Sequence, residues 1–434
     1  MKISRKTFYK NHNKELRKYF YDEIKALHIV AENTAALIDT KHIEILTLNQ
    51  NNEEDFKKIN NLESKFDLIV LTDIFEVSND IFNLVSNLKN NLNTGGKLLL
   101  TSINPKWNLL FRLLETFGIK RRSYINSYIN PKNVSNILES AGYENLKNYN
   151  KQIFPFKLFG IGTFLNISLE LIFVYLNLGI KTYFLYELKN KKYKRLSKSI
   201  IVPAKNEEGN LEELISRIPK FDEDYEILIS CGPSKDKTFE KAKSIQDINT
   251  DLNIQTFEQT RNGKANAVWE AIDKSTGEII AILDSDISVD PEELTNFFEI
   301  IENGSCDFVN GTRLMYPMEK SAMRFINKLG NRSFQFIISK LTNTNLSDTL
   351  CGTKVFKRSN INNLKKWQSI MSISDPFCDF DLIFSNSYYG SKILEYPVHY
   401  RSRKYGKTNI SRFKDGWRLI LYLFNSMLLF KTSY

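Results

Sequence analysis

Ile279-Ile280-Ala281-Ile282-Leu283-Asp284-Ser285-Asp286 decides the fold of the C-terminal half. The apolar run has the length of a strand, and it does not alternate, as expected for a strand buried on both faces of a parallel sheet. It ends in two carboxylates two residues apart. In Asp290-Pro291-Glu292-Glu293, which follows, Asp290 is predicted to cap a helix, Pro291 suits its first position, and Glu293 completes a capping-box spacing. The two aspartates are therefore expected in a turn between a buried strand and a helix, at the carboxyl edge of the sheet, where open α/β folds bind ligands. Carboxylates facing such a site suit a hard divalent cation that also takes phosphate oxygens. An isolated Asp-x-Asp is commonly just a polar turn. Its surroundings decide between the two.

Those surroundings keep an α/β rhythm. Strands are predicted at Ser199–Pro203, Glu226–Ser230 and Asn253–Phe257, with helices opening at Asn206, after Asp236 and at Lys264. Alternation of this kind gives a mostly parallel sheet covered on both faces. A separate α/β stretch precedes it. Phe66–Leu71 reads as a buried strand, a helix runs from about Asp80 to Asn91, and the turn Asn93-Thr94-Gly95-Gly96 leads into a strand at Lys97–Ser102. The basic run Lys189–Lys198 lies between the two stretches, so two domains are predicted, 1–195 and 196–434.

Composition narrows the function classes. The 434 residues, 42% apolar and 25% charged, suffice for two buried cores. A net charge of +10, from 60 Lys and Arg against 50 Asp and Glu, suits an anionic partner such as a nucleotide, a lipid phosphate or a membrane surface. No nucleic-acid recognition pattern appears. Cys231, Cys306, Cys351 and Cys378 are widely spaced and read as reduced thiols of a cytoplasmic protein. Leu419–Phe430 is apolar, too short to span a bilayer, and flanked by Trp417, Arg418 and Lys431. It is expected either to lie at a membrane interface or to pack on the domain.

More motifs converge on the aspartates: Pro203-Ala204-Lys205-Asn206-Glu207-Glu208 after the first strand, Arg261-Asn262-Gly263-Lys264 before a helix, Asp348–Lys354, Asp375–Asp381, and the cationic loop Arg401–Thr408. The set, in this order over residues 199–434, resembles glycosyltransferase family 2 of the GT-A fold, especially the dolichyl- and polyprenyl-phosphate sugar synthase branch. The resemblance implies a nucleotide-diphosphate sugar donor and a lipid-phosphate or saccharide acceptor. Pro203, Ala204 and Glu207 would lie against the nucleoside, and Lys264 would approach the nucleotide. Asp284 and Asp286 would hold Mg²⁺ or Mn²⁺ against the diphosphate. Asp381 matches the acidic residue near the acceptor, the general-base candidate, while Arg313 and Arg403 match positions that meet phosphate. Three departures stand out: Cys231 replaces an acid usual after the second strand, Asn266 stands where an aspartate is usual, and Thr408-Asn409 replaces a Ser-Lys pair.

The first half resembles a class I S-adenosylmethionine methyltransferase through Phe66–Asp73, Asn93–Leu100, Asn104–Trp107 and Asn133–Gly142. That resemblance implies a Rossmann-like sheet. The stretch in the cofactor-loop position, Leu27–Ala36, contains no glycine, so side chains would crowd a backbone approach that glycine permits. A domain without cofactor binding is expected. A bifunctional glycosyl- and methyltransferase, and a non-catalytic scaffold, are the alternatives.

Overall fold

The computed structural model describes residues 5–20, 24–31, 43–48, 62–75, 80–118, 131–153, 178–188, 194–316, 325–403, 405–406 and 412–432, with the single positions 59, 78, 165, 166 and 169. The chain divides into two compact units, Met1–Asn190 and Lys191–Tyr434.

The first unit is a six-stranded sheet built from β1 (Ala26–Ala31), β2 (Ile43–Leu48), β3 (Phe66–Thr72), β4 (Leu92–Ile103), β5 (Tyr143–Lys151) and β6 (Lys181–Leu188), in the order β2-β1-β3-β4-β6-β5. Every pairing is parallel except those made by β6. The helix predicted near Asp80 starts there, with the Asp80 carboxylate accepting the Asn83 N–H, whereas β4 begins five residues earlier than predicted because the Gly95-Gly96 turn lies within the strand. The part of the Leu27–Ala36 stretch from residue 32 onward lies outside the described residues.

The second unit is a seven-stranded mixed sheet. Its strands are β7 (Lys198–Ala204), β8 (Tyr225–Cys231), β9 (Ile254–Glu258), β10 (Ile279–Ile282), β11 (Phe308–Thr312), β12 (Lys354–Lys357) and β13 (Ile393–Pro397), in the order β13-β11-β12-β10-β7-β8-β9. β12 runs antiparallel to both of its neighbours. The run that decided the fold becomes β10, buried along its whole length between β12 and β7. Leu283 extends it by one backbone bond to Ile201. The carboxylates follow at once.

The capping box is not made. Residues Pro291–Glu293 form a single 3-10 turn before the helix Leu294–Glu302, and the Asp290 side chain caps nothing. Its carboxylate is taken instead by Arg217 at 2.7 Å and Arg401 at 2.8 Å, and Glu293 accepts from His399 at 3.0 Å. Two arginines from distant segments outbid the local N–H groups because charge-assisted bonds are the stronger ones.

The C-terminal helix Arg412–Thr432 has two faces. Leu419, Tyr422, Leu423 and Phe430 join the core that holds Trp367, Phe380 and Phe384. Trp417, Ile420, Phe424 and Leu428, spaced three to four apart along an opposite stripe, are exposed. No described helix is long and apolar enough to cross a membrane. Removing the chain after Gly416 deletes four buried side chains, about 6–12 kcal/mol of apolar burial, comparable with the net stability of a whole domain. Truncation there should abolish cooperative unfolding of the second unit in urea. A truncated chain that melts as a native domain would show the inner face is dispensable.

Candidate active site

The carboxyl ends of β7 and β10 open into a cavity of about 1810 Å³. It brings together every site residue expected from sequence: Pro203, Ala204, Glu207, Lys264, Asp284, Asp286, Arg313, Asp381 and Arg403 all line it. Lys404 and residues 407–410 of the cationic loop, including Thr408-Asn409, lie outside the described residues.

Backbone strain gathers around this cavity. Asn206, Ile287 and Cys378 have φ of 55°, 50° and 70°. Each adjoins a site acid: Glu207, Asp286 and Asp379. A left-handed conformation costs a β-branched residue such as Ile287 most, and such residues persist where surrounding structure holds them. Here Ile287 is buried, Ser288 N–H bonds the Asp286 carboxylate at 3.0 Å, and Ser285 Oγ donates to the Pro203 carbonyl at 2.9 Å. The turn is fixed from both sides.

Each aspartate already faces a cation. Lys264, first residue of the helix Lys264–Lys274, reaches the Asp284 carboxylate. Burial alone would raise the Asp284 carboxyl, but Lys264, with Lys354 and Arg313 behind it, brings it below the ordinary range. Asp286 accepts from Arg403 Nη2 at 2.5 Å. Arg403 Nη1 lies 4.0 Å from Glu207 Oε1. Glu207 is pushed up to about 7, chiefly by burial and further by Asp286 and Asp284, against the opposing pull of Asn210 and Arg403. Behind Asp284 stands Gly352, where a Cβ would fall 1.9 Å from Asp284 Oδ2. Only glycine leaves the carboxylate its place.

The residues fit a divalent cation of one kind. Among the described residues no three His, Cys, Asp or Glu groups form a metal cage. Mg²⁺ and its relatives bind through one or two carboxylates plus substrate phosphates rather than in a protein cage. Asp284 and Asp286, hard oxygen donors at the cavity wall beside cations able to meet phosphate, are of that type.

The structure separates other candidates. Arg313 does not present its guanidinium to the cavity centre. It forms a two-pronged pair with Asp348, Nε at 2.6 Å and Nη2 at 2.9 Å, and lies over the Tyr400 ring. Burial would raise Asp348, yet the Arg313 guanidinium holds it at about 2. Asp348, which could have been a simple turn cap, is thus a buried anchor. Asp381 is likewise tied: Tyr422 Oη donates to one oxygen at 2.5 Å, Gln368 to the other at 3.1 Å. Burial raises its carboxyl, and these donors counter it. Asp379 starts the helix Asp379–Tyr388 and pairs at 2.7 Å with the fully buried Lys354. Cys231, Cys351 and Cys378 are buried, as fillers are. His399 is hydrogen-bonded and stacks on Tyr316.

Sequence reasoning missed Glu395, which accepts the Ser347 and Asp348 N–H groups and Asn310 Nδ2 beneath the Asp348 turn. Its signal was a charged residue inside the apolar strand β13. Burial pushes Glu395 up from 4.5 to about 7. The folded state keeps that proton at a pH where the unfolded chain has released it. Stability from the neutral group is therefore fully present below the unfolded value and is lost as pH rises through about 7. Glu395→Gln cannot ionise. In urea melts at pH 5 and pH 8, the wild type should lose more stability on the upward step than the variant does; equal losses would show that Glu395 ionises freely.

Residues 199–364 match the family model described as Glycosyl transferase family 2, and residues 15–148 match one described as Methyltransferase domain. The Haloferax volcanii low-salt glycan biosynthesis hexosyltransferase Agl6 is 26% identical over 231 residues, 52% of this chain and 52% of that protein. The Pyrococcus furiosus dolichol-phosphate mannosyltransferase is 32% identical over 134 residues, 30% of this chain and 37% of that one. The chain thus spans about half or less of these curated relatives. A solved structure, mannosyltransferase PcManGT from Pyrobaculum calidifontis in complex with GDP-Man and Mn²⁺, is 20% identical, with 55% of this chain and 65% of that chain covered, at a TM-score of 0.38.

Proposed function

We propose that the glycosyltransferase family 2 domain at residues 199–364 transfers a sugar from a nucleotide-diphosphate sugar, with Mg²⁺ or Mn²⁺, to a lipid-phosphate or saccharide acceptor. The observation that carries this reading is the turn after β10: two carboxylates, each beside a cation, at the strand end of a cavity large enough for donor and acceptor. Relatives named as hexosyltransferase and dolichol-phosphate mannosyltransferase support the donor and acceptor classes.

In this reading Asp284 and Asp286 would hold the metal, which would supply positive charge against the leaving diphosphate. Lys264, at a helix N-terminus behind Gly263, adds a cation and backbone N–H groups toward the same phosphates. Pro203, Ala204 and Glu207 form the nucleoside wall. Arg313 acts through Asp348, fixing the loop whose Gly352 backs Asp284. Asp381, at the acceptor side, accepts a proton where the acceptor is a hydroxyl; an ionised phosphate needs no base. Asp286→Asn should keep the fold and cut turnover at least about 10²-fold, the scale of losing one preorganised electrostatic stabiliser. A panel of nucleotide sugars with Mn²⁺, scored for donor hydrolysis by mass spectrometry, measures this. Near-normal turnover under limiting Mn²⁺ would sink the metal assignment.

The outer stripe of the C-terminal helix supports peripheral contact with the inner membrane face from the cytoplasm. Its aromatic and aliphatic side chains lie beside Lys414 and Arg418, a composition suited to an anionic interface. Replacing Trp417 and Phe424 by serine should reduce co-sedimentation with anionic vesicles while leaving urea melts unchanged. Undiminished co-sedimentation would move the contact elsewhere.

The methyltransferase-like unit serves, in this reading, without S-adenosylmethionine. Just past β3, Asp73, at φ 59°, pairs with the wholly buried Lys181 and accepts from Tyr9 Oη at 3.0 Å. His28 on β1 is buried against Thr72 at 2.9 Å. Side chains already paired with one another here support the reading of a domain without cofactor.

A further inference from the structure

Arg403 stands where a metal-binding site would not by itself want a cation. Its guanidinium meets Asp286 at 2.5 Å, in the position of a positive ion bound to that carboxylate. It is held there by a strap with two anchors. On one side, Tyr400 bridges to Val289, Arg401 N–H bonds the Ser288 carbonyl at 2.9 Å, and the Arg401 side chain pairs with Asp290. On the other, the Tyr405 ring rests on Gly209, where a Cβ would come within 2.7 Å of it. Arg403 Nη1 is buried and makes no hydrogen bond among the described residues. One prong of the fork neutralises Asp286, and the other lies 4.0 Å from Glu207 Oε1 without a hydrogen bond.

Asp284 differs. It is neutralised by Lys264, the first residue of its helix, and backed by Gly352. A divalent ion approaching the pair competes with Arg403, because the guanidinium holds Asp286 Oδ2 while Ser288 N–H holds Oδ1, and two cations on one oxygen repel. Displacement is unfavourable unless the guanidinium finds another anion. A diphosphate arriving with the metal supplies one, and guanidinium is suited to two-pronged phosphate binding.

We propose that Arg403 is a tethered counter-cation of Asp286, exchanged for the divalent ion only when a nucleotide diphosphate arrives to receive it. The inference rests on the glycosyltransferase reading and adds to it a reason for metal and donor to bind as a unit. By linkage, the factor by which nucleotide tightens metal equals the factor by which metal tightens nucleotide. Arg403 is what makes that factor large.

The test is Mn²⁺ binding to the full chain, followed by the electron paramagnetic resonance signal of free Mn²⁺, without and with UDP or GDP. R403Q should bind Mn²⁺ alone roughly tenfold more tightly than wild type, the scale of one charge-assisted hydrogen bond removed from competition. Adding nucleotide diphosphate should then tighten Mn²⁺ less in R403Q than in wild type. R403M, a second variant that removes the charge, should shift both quantities in the same directions and decides the matter if R403Q does not fold. Equal Mn²⁺ affinities for wild type and variants, with normal Mn²⁺–nucleotide binding by wild type, would overturn the counter-cation role and leave the glycosyltransferase reading standing. Wild type that binds neither Mn²⁺ nor nucleotide diphosphate would overturn both.

Discussion

Two carboxylates two residues apart at the end of a buried strand repel each other, and the second unit is organised around supplying them with positive charge. Lys264 comes from the helix after β9, and Arg403 from the strap after β13. The strap that carries Arg403 is anchored through Arg401 to Asp290, in the segment following the aspartates. The local capping box is forgone for that link, since Asp290 and Glu293 are worth more to distant partners than to the adjacent helix turn. A short segment of sequence thereby gathers both sides of the cavity.

Behind this layer of exchangeable pairs lies a second layer that is not exchangeable. Arg313–Asp348, Lys354–Asp379 and the Glu395 hydrogen bonds are buried and satisfied by geometry rather than by solvent. Buried pairs add little net stability, but breaking one leaves a charge stranded. Their effect is positional. Asp348 fixes the turn that carries Cys351 and Gly352, and Gly352 leaves room for Asp284. Partly exposed pairs face the cavity, and more deeply buried pairs stand behind it.

Much of this was legible in sequence because it depends on local pattern. β10 is a bare apolar run; the helix at Lys264 follows a glycine; the acids sit at strand ends. All the residues expected in the site meet in one cavity. What sequence did not convey depends on partners far apart in the chain. Nothing near Arg313 indicates that its guanidinium is spent on Asp348, and nothing near Asp381 indicates that Tyr422, 41 positions on, will hold it. The capping-box expectation failed for the same reason: local spacing was right, but stronger charged partners arrived from elsewhere. Glu395 is a buried acid with a local warning, a carboxylate within Ile-Leu-Glu-Tyr-Pro.

The C-terminal helix illustrates how a composition can carry two demands at once. Read as a string, Leu419–Phe430 is simply apolar, and an interfacial helix and a core helix look alike. In three dimensions the string divides. Leu419, Tyr422, Leu423 and Phe430 face Trp367 and Phe384, while Trp417, Ile420, Phe424 and Leu428 face outward. Tyr422 then links the inner face to chemistry, because its hydroxyl bonds Asp381 and also accepts from Trp367 Nε1 at 2.7 Å. Whatever covers the outer stripe therefore acts on a helix whose opposite side holds an acid of the cavity. A surface that binds the stripe can shift Asp381 only by moving Tyr422, and Tyr422 is wedged among Phe380, Phe384 and Trp367. Rigid packing of that kind passes on whole-helix displacement and resists small side-chain adjustment. The Asp381 carboxylate is thus tied to the helix as a body, and its place in the cavity follows from how that helix is seated.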